Sequence, residues 1–168
     1  MRRILTAIGA ILLIAAFCGF FVGKTMLFPM DYKEEIETYA EAYGADPYLV
    51  AAVINMESNF ADLDYKEGEK SGVMQIREEA ATRWAQSMGL EDFDAEDLSD
   101  PDKSIKLGCW YLGQLTEEDD AVDKVLEGWA NRHAEDGHTY EEDGKERYIK
   151  RMKAFIKWYK LFHGGSFK

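Results

Sequence analysis

DPYLVAAVINMESNF, Asp46 to Phe60, is the stretch on which the fold turns. Asp46 is a strong N-cap and Pro47 falls at the first helical position, where a missing N–H and a fixed φ cost nothing, so a helix is expected to start here. Val50, Val53, Ile54 and Glu57 follow at the i, i+3, i+4, i+7 spacing of one helical face. A glutamate thus stands where the stripe asks for another apolar side chain. Burial disfavours the charged form of a carboxyl, which is what a general acid requires. The alternative is a helix that frays at Glu57 and lets the side chain reach water, as most glutamates do.

Around this helix, 168 residues with 46% hydrophobic and 13% aromatic content suffice for one well-filled domain and fall short of two ordinary ones. The formal net charge is -12, unevenly placed: Arg2, Arg3 and Lys24 are the only charges before Asp31, which leaves 17 Lys and Arg against 32 Asp and Glu on the remainder. A body that acidic argues against nucleic acid as a partner, because that affinity rests on phosphate neutralisation by Lys and Arg. Cys18 lies in the apolar N-terminal run and Cys109 in the body, so no intramolecular disulfide framework is available. Cys109, within SIKLGCWYLGQL, reads as a small buried hydrophobe. His133 and His138, in the polar run HAEDGHTYEEDG, read as solvated rather than as metal ligands, and neither a metal nor a cofactor is expected.

Ile4 to Val22 is an uncharged, mostly apolar run of 19 residues, preceded by Arg2 and Arg3 and followed by Lys24. It is long enough to cross a bilayer core as a helix. A cleaved signal peptide is the competitor, but its apolar region is usually shorter and ends in a small-x-small site that is not clear here. Phe17 before Cys18 fits a lipoprotein cleavage site poorly. A buried core helix is the remaining alternative. The expectation is a signal anchor with a short linker over residues 1–30, its arginines in the cytoplasm and the acidic body, 31–168, outside.

Within the body, helices are expected over Asp31 to Tyr43, with Ile36, Tyr39, Ala40 and Tyr43 on one side, and again from Asp46. ADLDYKEGEKSG after Phe60 suits a loop or small hairpin, and Val73 to Met88 reads as a helix ended by Gly89. Ser99-Asp100-Pro101 opens a helix to about Leu115. Another covers Ala121 to about Asn131, and a last one runs from Lys145 to Phe162 with Tyr148, Met152, Phe155, Ile156 and Tyr159 on one face. The fold class is mainly α, with one small irregular or β insertion after Glu57.

Four fragments then fall in order: Glu57-Ser58-x-Phe60; Gly72-Val73-Met74-Gln75-Ile76 fifteen residues on; Asp100-Pro101 with Ile105, Gly108 and Tyr111-Leu112; and Arg147-Tyr148-Ile149 followed by Tyr159. With them the chain resembles, from about Tyr48 to Tyr159, the lytic transglycosylases of glycoside hydrolase family 23, relatives of goose-type lysozyme. The resemblance implies an α+β lysozyme-like fold and cleavage of the peptidoglycan bond from MurNAc to GlcNAc, with formation of a 1,6-anhydro ring. It also implies Glu57 as the one catalytic residue, general acid and then base.

By family position Ser58, Gly72, Met74, Gln75, Tyr111 and Tyr148 are substrate-side residues, Tyr148 reaching back toward the carboxyl. The family's Ala-Tyr-Asn-x-Gly motif falls on EGWANRHA, where Trp129 stands for the tyrosine as a sugar platform and Ala130 for the asparagine, unless Asn131 replaces it by a one-residue shift. Glu69-Lys70 occupies the place of a small Gly-Ala pair. The implied partners are glycan strands, the membrane through Ile4 to Val22, and a cell-envelope protein complex. Two rivals remain: a lysozyme-type hydrolase using Asp62 or Asp64 as second carboxylate, since ordinary glycosidases need two, and a catalytically weak glycan-binding scaffold. Peptidoglycan carries carboxylates, so an acidic body gains nothing from long-range attraction and any favourable contact must come from a local patch.

Overall fold

The computed structural model describes residues 2–167, without the side chains of residues 2–5 and 7; the charged groups of Arg2 and Arg3, on which the orientation argument rests, lie outside that description. Among the described residues seven α-helices follow one another: α1 (Arg2–Val22), α2 (Lys33–Tyr43), α3 (Pro47–Ser58), α4 (Glu78–Ser87), α5 (Pro101–Glu118), α6 (Val122–Ala130) and α7 (Glu142–His163). A π-helical turn, Gly23–Leu27, extends α1, and a 3-10 turn, Ala95–Ser99, precedes α5. The fold is mainly α, as expected. The insertion after Glu57 is irregular: its one β feature among the described residues is a single antiparallel bridge between Ser71 and Ile76.

Two Asp-Pro pairs start the two most deeply packed helices. Asp46 accepts from the Tyr48 N–H at 2.9 Å and Asp100 from that of Asp102 at 3.0 Å, each with proline at the first helical position. α3 is buried on nearly every side from Leu49 to Asn55 and lies against α2, α5 and α7. Glycines allow the closest crossings: a Cβ at Gly113 of α5 would meet the Tyr43 carbonyl oxygen at 2.0 Å. Cys109 is a buried hydrophobe of this core, and burial pushes its thiol up.

Two expectations are corrected. The helix expected from Val73 begins only at Glu78. Gly72 and Gln75 have φ of +68° and +51°, so residues 71–76 form a tight turn that buries Val73, Met74 and Ile76 together. The buried-core reading of the N-terminal run also fails, because α1 leaves Leu13, Ile14 and Phe17 exposed. Ile8–Leu27 is long and apolar enough to cross a membrane.

Candidate active site

α3 holds Glu57 in its last turn. The helix does not fray there: Asn59 closes it in the left-handed conformation, its N–H bonded to the Asn55 carbonyl, and the Glu57 side chain stays only 6% exposed. The carboxylate is gripped on both oxygens. Tyr148 of α7 donates its hydroxyl to Oε1 at 2.6 Å. On the other side Arg132 places Nη2 2.9 Å from Oε2, and Lys70 places Nζ 3.6 Å from the same oxygen.

Arg132 is held by its own neighbours. Its guanidinium lies over the Trp129 ring, 4.4 Å from the centroid, and donates to the carbonyls of Trp129 at 3.0 Å and Gln75 at 3.3 Å. The turn that carries it is pinned to α4, since Arg83 reaches both oxygens of Asp136 at 2.5 and 3.1 Å and Glu135 at 3.3 Å. Gln75 closes the floor, its side-chain amide donating to the Gly72 carbonyl at 2.9 Å. A chain of net charge -12 thus gathers two cations at one buried carboxylate.

The electrostatics follow from burial. Burial and the Glu57 charge push the Tyr148 phenol well above its ordinary range, which keeps it a proton-bearing donor. Lys70 is lowered, chiefly by burial and secondarily by Arg132, against the pull of Glu57. His133 is pulled down to about 3 by burial first and then by Arg132, Lys70 and Arg77, so it stays neutral. It is buried, which corrects the expectation of a solvated histidine, while His138 is exposed.

Of the residues singled out from the sequence, Glu57, Gln75 and Tyr148 meet here. Ser58, half-buried, turns its hydroxyl back to the Ile54 carbonyl at 3.1 Å, and Asn131 is exposed at the end of α6. Gly72 is buried, and its role is steric: a Cβ would lie 2.2 Å from the Leu98 carbonyl oxygen. Met74 and Trp129 are wholly buried and present no surface to a ligand, a correction for both. Met74 packs its thioether on Gly108, and Trp129 lies under Arg132 among Trp84 and Tyr111. Tyr111, half-buried, stacks on Trp84 with centroids 4.2 Å apart. Asp62 and Asp64 are exposed.

Three residues escape the sequence reading: Arg132, Lys70 and Tyr140. Tyr140 stacks on Tyr148 at 5.4 Å and is 38% exposed, so it offers the open aromatic face expected of Trp129. Arg132, the one Lys or Arg between Lys124 and Lys145, stands out on its stretch, and that is the signal that could have marked it; Lys70 shares its loop with Lys66 and carries no such mark.

Solved structures of lytic transglycosylases share this arrangement of helices. The 70 kDa soluble lytic transglycosylase SLT70 of Escherichia coli matches with a TM-score of 0.69 at 19% identity, over 82% of this chain and 25% of that one. A complex of the 70-kDa soluble lytic transglycosylase with bulgecin A gives 0.68 at 17%, over 82% and 25%. An inactive variant of the lytic transglycosylase Slt from Pseudomonas aeruginosa gives 0.66 at 18%, over 80% and 24%. These likenesses show a lysozyme-like fold, and the chain spans about a quarter of the length of each of these proteins. No curated protein matches the sequence. The family model described as Transglycosylase SLT domain matches residues 34–149, from the first turn of α2 to the residue after Tyr148, and so takes in Glu57 and each of its partners; the chain belongs to that family.

Proposed function

We propose that the chain is a peptidoglycan lytic transglycosylase that cleaves the β-1,4 bond from MurNAc to GlcNAc and closes a 1,6-anhydro ring. One observation carries this: a buried glutamate at the end of α3 whose two oxygens are differently partnered. Oε2 faces the two cations, which leaves Oε1, beside the Tyr148 hydroxyl, as the oxygen through which the mechanism passes its proton. From there it passes to the leaving glycosidic oxygen. Arg132 and Lys70 stabilise the carboxylate that results, and the carboxylate then takes the proton of the MurNAc C6 hydroxyl as that oxygen attacks C1. Gln75, Ser58 and Asn131 supply polar contacts to the glycan and Tyr140 a stacking face. Residues 1–30 serve as a single-pass anchor and linker, placing 31–168 outside the bacterial cell membrane beside a cell-envelope assembly.

Mass spectrometry of the soluble products from isolated peptidoglycan tests the reading, with Glu57→Gln alongside. Anhydro-muropeptides that vanish in the variant are expected. Reducing-end products would move the chain to the hydrolases and make Asp62 and Asp64 the carboxylates to examine. The two ion pairs on Glu57 favour a second reading, a glycan-binding module with little turnover. That reading takes over if the wild type pelleted with the wall yet released nothing.

A further inference from the structure

α1 does not stand clear of the body. The rings of Phe20 and Phe162 lie 5.1 Å apart, and a Cβ at Gly23 would meet Phe162 Cζ at 2.7 Å. Beyond the π-helical turn, Phe28 enters a cluster of rings from α7: Phe155 at 5.3 Å, Trp158 at 6.1 Å, Tyr159 at 5.5 Å and Phe162 at 5.4 Å. Side chains of the body also hold this main chain. His163 Nε2 donates to the Phe28 carbonyl at 2.7 Å, Tyr159 to that of Pro29 at 2.9 Å and Asn55 to that of Leu27 at 2.9 Å. The junction is a packed joint rather than a tether.

The apolar span runs from Ile8 to Leu27, 20 residues or about 30 Å of helix, the thickness of a bilayer core. Phe20 and Gly23 belong to its last eight residues, four to seven residues before its end, or roughly 6 to 10 Å along the axis. A side chain that touches them shares their depth, so Phe162 cannot lie in bulk water when the span is in lipid. The exposed groups around it suit that place. Trp158 is 45% and Leu161 60% exposed, and Met26 and Leu27, at the end of the span, are exposed too. Lys24, Lys157 and Lys160 border them, Lys160 paired with Asp46 at 2.8 Å. Tryptophan favours the membrane interface, and lysine stems lie along apolar surface with the ammonium in water.

The geometry points to a docking surface: the last two turns of α7, led by Trp158, Leu161 and Phe162, are seated in the outer interface of the same bilayer that α1 spans. This rests on the anchor reading above. The full chain, reconstituted into phosphatidylcholine and phosphatidylglycerol vesicles, tests it with lipids brominated high in the acyl chains as quenchers. Wild-type tryptophan emission is expected to fall in the brominated vesicles, and that quenched fraction to be lost in Trp158→Phe. Trp84 and Trp129 are buried and Trp110 is half-buried on α5, and all three are common to both proteins, so the difference between them reports Trp158. Flotation separates the two readings. A chain that floats with the vesicles but shows no quenching, or equal quenching in both proteins, overturns the docking alone and leaves the face to water, a partner or a second copy. A chain that does not float overturns the anchor and the docking together.

Discussion

Glu57 depends on residues far from it in sequence, and each contributes by a different physical route. Tyr148→Phe removes one hydrogen bond to a charged group, about 1.5–3 kcal/mol, and leaves the ring packed. The expected outcome is a fall in kcat of about tenfold to a hundredfold with KM little changed, measured as anhydro-product release. His133 bears on stability instead. Its folded form resists protonation down to about 3, whereas the unfolded chain takes the proton near the ordinary histidine value of about 6.5. The contribution is therefore whole above about pH 6.5 and is lost as pH falls toward 3. Denaturant midpoints of the wild type should decline from pH 6.5 to 5, before most carboxylates titrate, and His133→Gln should flatten that part of the profile. Parallel profiles would remove His133 as the cause.

At the scale of elements, the turn over residues 71–76 does the work that a helix was expected to do. Gly72 there combines a positive φ with no room for a Cβ, 2.2 Å from the Leu98 carbonyl oxygen and 2.7 Å from Ser104 Oγ. Gly72→Ala is expected to cost about 2 kcal/mol or more, the left-handed penalty alone being about 1–2, read as a lowered denaturant midpoint. Much of the fold was legible for local reasons. The Asp46-Pro47 and Asp100-Pro101 starts each carry their own cap, and the stripes of α3, α5 and α7 repeat at the helical period. The turn was not, because Val73, Met74 and Ile76 also satisfy helical spacing when a tight turn buries them side by side. Nor was the pairing of Glu57 with Arg132, since nothing local in a sequence links two charges so far apart. Which aromatic faces outward, Tyr140 rather than Trp129, is likewise decided by packing of α6 under Arg132, not by residue type.

For the molecule as a whole, the joint between α1 and the body is an aromatic extension of the core. Phe28→Ala would empty the middle of four surrounding rings and is expected to cost about 3 kcal/mol, read as a lowered unfolding midpoint of the full chain in detergent micelles. The same cluster rests on α7, and α7 is one unbroken helix from Glu142 to His163. Near one end it carries Tyr148, against Glu57; near the other it carries Phe162, against α1. Fourteen residues separate them, about 21 Å of rigid rod. Under the proposed anchor and docking, with its far end at the lipid, that rod would be a gauge: its length would set the greatest height above the bilayer at which a glycan strand could be cut. Strands lying nearest the membrane would then come within reach, and the outer layers of the wall would not.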